Sequence, residues 1–364
     1  MPTAPVDPAT LHRDAIVVEL HADVPIDVID RRRRRETQVL LRRHLPRWRA
    51  GGVKAAVLTV GGDQPSHQQL DPGDPFRAAM LQIAELRQDI RESDGAIVPA
   101  TSPAAIRAAA AEGRFAVFFN LEGVAPLRGS LGALDLFGEL GVRAVQLTWN
   151  LRNEAGDGVA EDSGARLTRF GRSLIAHANR TGILLDGSHM GAGGFWDLAE
   201  HATRPFVCSH SNAAALRPHR RNLDDRQVEA VARAGGLVGV ACYPAFLTDG
   251  EATLEHVLDH VEHLLRVAGP GHVGFGPDYV DYAEAIVHAA LETAGGLYGA
   301  PRSYPAGLGR IEETPNLTAG LLARGHGPDV VRGVLGESYL RVLDAVQAPS
   351  ASAGTGPAAA DRSG

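Results

Sequence analysis

His21 and Asp23 in VVELHAD, Glu122 in FAVFFNLEG, His189 in GILLDGSHMG and His210 in PFVCSHSN are residues of the types that bind divalent metals. Each follows a short apolar stretch and precedes a Gly-, Asn- or Ser-rich turn. One buried histidine is usually a satisfied core residue. Several metal-binding side chains at strand ends, aimed at one centre, are a metal site. His21 and Asp23 alternate, so an extended strand end points both side chains the same way. Imidazole beside carboxylate suits Zn²⁺, Fe²⁺ or Mn²⁺ and favours zinc-like ions over Mg²⁺. The two oxygens of Glu122 could bridge a pair of ions. Two ions about 3.5–4 Å apart can share a hydroxide and polarise a carbonyl, and coordination lowers the pKa of water to about 7. A free carboxylate must then carry the proton to a leaving amine, and Asp278 in HVGFGPDYVD is the candidate. The chemistry expected is amide hydrolysis by a metal-bridged hydroxide.

The elements that must position these residues read as an alternation of strands and helices. Strand-like runs fall at 16–20, 55–60, 115–119, 144–147, 182–185, 206–208, 237–242 and 273–275. Helix-like segments lie between them at 76–92, 103–112, 131–140, 167–180, 224–234 and 254–267, and two more follow at 317–324 and 329–346. Capping signals stand at Ser102 and at 222–225. This alternation predicts a (β/α)₈ TIM-like barrel with a C-terminal helical extension, in which chemistry sits at the C-terminal ends of the strands. Residues 1–346 form one barrel domain in this reading, and 347–364 form a disordered Ala/Ser/Gly/Pro tail. Segment 283–309, rich in Gly, Pro and Tyr, is expected as a long loop over the barrel mouth. His256, His260 and His263 have helical spacing and are expected on the wet side of an amphipathic helix.

Composition excludes several classes. The chain has 364 residues, 44% hydrophobic and 22% charged, with net charge −7, so a nucleic-acid surface is not expected. The run Arg31–Arg35 is read as a solvated helix face or loop. There is no run of about 20 apolar residues, and no membrane association is expected. The two cysteines, Cys208 and Cys242, lie in apolar runs and make no disulfide framework. A cytoplasmic enzyme is the expectation. Lys54, the sole lysine, precedes its strand, so a carboxylated lysine cannot be the metal bridge.

Taken in order, HAD, NLEG, LGVRAVQLTWN, GILLDGSHMG, SHSNAAALRPHRRNLDD, HVGFGPD and VVRGVLGESYLRVL resemble the membrane dipeptidase (renal dipeptidase) family of zinc peptidases over about residues 15–345. The resemblance implies a barrel holding two divalent ions, zinc first among them, and cleaving small dipeptides, with a homodimer as the family's habit. It implies that His21, Asp23 and Glu122 bind the more buried ion. Glu122, His189 and His210 bind the second, and Asp278 is the acid/base group. Arg221 matches the arginine that holds the substrate carboxylate, and Tyr243 matches a tyrosine of the pocket. Trp149 stands where the family carries a histidine that supports the carbonyl, and Asn150 or Asn153 is expected to substitute for it. That departure keeps open two other readings: a hydrolase of another small amide (an N-acyl amino acid, lactam or cyclic imide), and a metal-binding scaffold that has lost catalysis.

Overall fold

The computed structural model describes residues 6–300 and 302–349. The strand-like runs become β1 (Val17–Ala22), β2 (Val53–Gly62), β4 (Phe115–Glu122), β5 (Val142–Gln146), β6 (Leu184–Asp186), β7 (Phe206–Cys208), β8 (Leu237–Val240) and β9 (Val273–Phe275), with β3 (Ile97–Pro99) added between β2 and β4. The eight expected strands pair in chain order, all parallel. They are buried along nearly their whole length, as parallel strands sheathed by helices must be. A Cβ on Gly274 of β9 would strike the Leu20 side chain of β1 at 2.6 Å, so the first and last strands meet and the sheet forms a nearly closed (β/α)₈ barrel. Strand β3 extends the edge of β4. Its three residues carry too little pattern to be read from sequence.

The expected helices form within two or three residues of their sequence bounds. Ser102 accepts from the Ala105 amide, and Asp224 forms a reciprocal capping box with Gln227. Helical segments not read from the sequence include Val24–Arg33, Leu40–Ala50, Ala192–His201 and Glu284–Leu291. In the first, apolar residues crowd the opening half and arginines the closing half, which leaves no 3.6-residue stripe. In the third, two glycines near the start hide the helix. The segment expected as one helix over 329–346 is broken into Pro328–Arg332, a wide turn over Gly333–Glu337, and Ser338–Gln347. The break falls at Gly336, where a Cβ would strike the Ile16 carbonyl at 2.3 Å. The last helix packs Tyr339, Leu340, Leu343 and Val346 into one apolar cluster with strand residues such as Val18, Val57 and Phe118. From residue 350 onward the expected tail lies outside the described residues.

Two expectations about charged and polar residues need correction. His260 and His263 are buried, at 1% and 7% exposure, not on a wet face. His260 accepts from the Ala213 amide and His263 pairs with Asp225, so both serve packing between elements. Arg31 and Arg32 do not form part of a solvated face. Arg32 reaches Glu85, Asp89 and Glu92 at 2.6–2.9 Å, tying the helix Val24–Arg33 to the helix Pro75–Arg91 and its C-terminal end.

Candidate active site

Every one of the eight barrel strands delivers a residue to the same end of the barrel. His21 lies in β1 and Asp23 one residue past its end, Glu122 closes β4, and Trp149, His189, His210, Tyr243 and Asp278 follow β5 to β9 within three residues. Strand β2 leads into the short helical turn Pro65–Gln68, which carries His67. The first five residues singled out in the sequence converge. His21 Nε2 lies 3.5 Å from Asp23 Oδ1 and 3.6 Å from Glu122 Oε1. His189 Nε2 lies 3.3 Å and His210 Nε2 3.9 Å from the same Glu122 oxygen. Asp278 Oδ1 approaches His21 Nε2 at 4.0 Å. β1 ends at Ala22, and Asp23 begins the next helix rather than continuing extended, yet its carboxylate still faces His21.

Side chains behind the cluster aim it. Ser209 Oγ holds His210 Nδ1 at 2.7 Å, and Asn150 Oδ1 holds His189 Nδ1 at 2.8 Å, which turns both Nε2 atoms inward. Gly62 lets β2 pass close to the end of β4, since a Cβ there would strike the Glu122 carbonyl at 2.1 Å. His189 and Asp278 both hold left-handed backbone, with φ of 67° and 60°. That conformation costs a non-glycine residue about 1–3 kcal/mol and persists only where surrounding contacts enforce it. Strain at these two positions, three residues past β6 and β9, is what re-aims their side chains over the barrel mouth.

The electrostatics follow from burying opposite charges together. Burial alone would depress the His21 imidazole, but Glu122 and Asp23 raise it to about 10. Burial opposes ionisation of Glu122, yet His21, His189 and His67 hold its carboxylate well below the usual range. His189 is pushed the other way, to about 3, by burial and by the Arg221 guanidinium. For Asp278, burial pushes the carboxyl up to about 6 against the pull of His21.

On the substrate side, Trp149, Tyr243 and Asp278 line a small space over Asp23, Glu122 and His189. The expected loop 283–309 contains the helix Glu284–Leu291, which lies over the barrel mouth. Val287, Leu291 and Tyr298 from this segment close the space to a volume of about 20 Å³. Arg221 is buried and faces a neighbouring cavity of about 230 Å³, whose wall it shares with His189 and Ser211. One guanidinium nitrogen donates to the His210 carbonyl at 3.2 Å, and Nε has no partner. Asn150 does not line the space. Its amide is taken up by His189 and by the Tyr298 hydroxyl, 2.8 Å from Nδ2. Asn153 turns away to Asp63 and the Leu147 carbonyl. Lys54 lies near the start of β2 and donates to the Arg13 carbonyl, away from the cluster.

Sequence reading missed His67. It is fully buried, with Nε2 3.3 Å from Asp23 Oδ1 and 3.4 Å from Glu122 Oε2. The PSHQ stretch carries no strand-end signature, because β2 has already turned at Gly61 and Gly62. The His21, Asp23, His67 and Glu122 end of the cluster fits a cation, while His189 Nε2 and His210 Nε2 partner each other at 2.8 Å. His21 Nε2, Asp23 Oδ1, His67 Nε2 and Glu122 Oε2 are all buried without a hydrogen-bond partner. Each such atom costs about 1–3 kcal/mol unless something satisfies it. Three groupings within the cluster offer donor atoms at metal-binding spacing.

The family model described as membrane dipeptidase (peptidase family M19) matches residues 7–294. The chain belongs to the membrane dipeptidase family. Among its relatives, a protein encoded in the pqqA 5′ region of Klebsiella pneumoniae is 34% identical over 283 residues, covering 75% of this chain and 97% of that one. The dipeptidase aclJ of Aspergillus oryzae is 30% identical over 312 residues, covering 83% and 69%. A solved structure of a Rhodobacter sphaeroides metallopeptidase, bound to a phosphinate mimic of the dipeptide L-Ala-D-Ala, superposes with a TM-score of 0.78 at 26% identity, covering 92% of this chain and all of that one. As a member of the membrane dipeptidase family the chain is a metal-dependent hydrolase of the dipeptidase type. No helix among the described residues is long and apolar enough to cross a membrane.

Proposed function

We propose that this chain is a binuclear, zinc-preferring dipeptidase acting on small dipeptides, including those with a D-residue at the C-terminal side. The observation that carries the proposal is the convergence of His21, Asp23, Glu122, His189 and His210 around one carboxylate, with Asp278 beside them. His21 and Asp23 would hold one ion, His189 and His210 the other, and Glu122 would give one oxygen to each. Bound there, the ions would supply Lewis acidity toward the scissile carbonyl and a water nucleophile at neutral pH.

Asp278 is the proton carrier in this reading. It takes a proton as the nucleophile attacks and delivers it to the nitrogen of the breaking amide. A carboxyl raised to about 6 is suited to both halves of that transfer near neutral pH. Arg221 holds the C-terminal carboxylate of the dipeptide with a planar, permanently charged donor. Tyr243 bounds the side-chain pocket, and Trp149 covers the carbonyl. The space of about 20 Å³ admits no more than about one water, so Val287, Leu291 and Tyr298 would have to move aside for substrate to enter. Two free buried cysteines support the reducing cytoplasm as its location. A homodimer is carried over from the resemblance alone.

Trp149 favours a second reading of substrate range. An indole donates one hydrogen bond and cannot take a positive charge, so the pocket could suit an N-acyl amino acid, lactam or cyclic imide better than a dipeptide. The retained Asp278 weighs against a scaffold without catalysis. Metal analysis of purified protein, combined with a panel of L,L- and L,D-dipeptides, N-acyl amino acids and lactams, tests the proposal. Two equivalents of zinc with dipeptide turnover support it; turnover confined to the other amides transfers the assignment to them.

A further inference from the structure

Resting on the metal reading above, we propose that His67 is a sixth metal ligand, which would join His21, Asp23 and Glu122 in holding the first ion. His67 Nε2 stands 3.3 Å from Asp23 Oδ1 and 3.4 Å from Glu122 Oε2, while His21 Nε2 stands 3.5 Å from Asp23 Oδ1 and 3.6 Å from Glu122 Oε1. A tetrahedral ion with bonds of about 2.0–2.2 Å has donor atoms separated by about 3.3–3.6 Å along each edge. Three of the measured separations, His21 to Asp23, His67 to Asp23 and His67 to Glu122 Oε2, belong to one donor set and fall in that range, while His21 faces the other Glu122 oxygen. They are too long for hydrogen bonds of ordinary strength and too short for unrelated groups.

The unsatisfied atoms point the same way. His67 has no hydrogen-bond partner on either ring nitrogen, and its side chain is 0% exposed. A buried imidazole held by nothing but two carboxylates beyond hydrogen-bond optimum lacks a structural reason for its polarity. A shared cation supplies one. The donor count then separates the two ions. His21, Asp23, His67 and Glu122 give four protein donors to the first. Glu122, His189 and His210 give three to the second. The first ion would therefore be the more tightly held of the two.

Titration of the metal-free full-length chain with Co²⁺, followed by visible absorption, tests the proposal directly. Wild type should bind two equivalents, the first much tighter and resistant to a chelator that removes the second. His67→Ala and His67→Gln should each weaken the tight equivalent beyond the roughly 10–100-fold that loss of an outer-sphere partner costs. They should also change the visible spectrum of that ion and leave the weaker equivalent as it was. Unchanged affinity in both variants, or reduced affinity with an unchanged spectrum, overturns the ligand assignment. Circular dichroism of the metal-free proteins controls for folding, and two substitutions of different size guard against a cavity artefact. A wild-type chain that binds no Co²⁺ would instead overturn the metal reading itself.

Discussion

Asn150 accepts a hydrogen bond from His189 at 2.8 Å while its amide nitrogen meets the Tyr298 hydroxyl at 2.8 Å, so one side chain joins a candidate metal ligand to the segment covering the site. The family resemblance had suggested Asn150 as a contact to substrate. Its actual partners make it the residue that fixes the His189 ring and tautomer.

Asn150→Ala should therefore lower affinity for the ion at His189 and His210 by about 10–100-fold, the usual cost of losing a partner behind a ligating histidine. The other ion should be unaffected. Isothermal titration with zinc, resolving the two equivalents, checks this. A uniform loss at both would show instead that the variant disturbs the barrel mouth as a whole.

Asp278→Asn should reduce turnover by at least about 10²-fold, the lower end of what a positioned acid/base group contributes. Metal content should stay near that of wild type. Asparagine is the appropriate replacement because it tolerates the left-handed backbone that Asp278 holds at φ 60°. Steady-state kinetics with metal analysis of the same preparation decide the outcome, and near-normal turnover would remove Asp278 as the proton carrier.

Trp149→His should raise kcat/KM for dipeptides, by up to the roughly 10²–10³-fold attributed to one donor at a developing oxyanion. The indole is 2% exposed, so the same change should lower stability, by about 1–3 kcal/mol once the lost apolar burial is counted. Kinetics and thermal melting of the variant separate the two effects. No gain on dipeptides, with loss of activity on another amide, would mark the indole as a specificity determinant for that amide.

Glu19 gives a prediction about pH. Its carboxyl is buried and accepts from Trp48 Nε1 at 2.6 Å, and burial pushes it from its ordinary 4.5 up to about 8. Between those two values the folded chain keeps a proton that the unfolded chain has released. Stability contributed by this group is thus complete below pH 4.5 and falls as pH rises toward 8. Glu19→Gln keeps the acceptor for Trp48 and removes the titration. It should be more stable than wild type at pH 8, by on the order of a few kcal/mol, and the difference should shrink toward pH 5. Urea unfolding midpoints across that range provide the measurement.

Much of the site was legible in the sequence because a parallel barrel puts its chemistry at strand exits. HAD, NLEG, GSHMG, CSHSN and GFGPD each couple an apolar run to a turn, and the ligand falls at the junction. The strands themselves were readable for the same reason: buried on both faces, they appear as uninterrupted apolar runs. Arg32 was not legible because its ion pairing to Glu85, Asp89 and Glu92 depends on neighbours more than 50 residues away. His260 was misplaced because helical spacing gives a face but does not say which neighbour, here the Ala213 turn, will cover it.

The sequence by itself determined the alternation of strand and helix, and with it the end of the barrel at which His21, Glu122, His189, His210 and Asp278 emerge. Tertiary structure decided how far apart their donor atoms stand, that Asn150 serves His189, that Val287, Leu291 and Tyr298 close the mouth, and that His67 joins the cluster. The division has a physical reason. Periodic burial writes itself into neighbouring residues along the chain. The distance between two side chains on different strands is set by barrel closure and by backbone turns such as those at His189 and Asp278, and no local pattern encodes it.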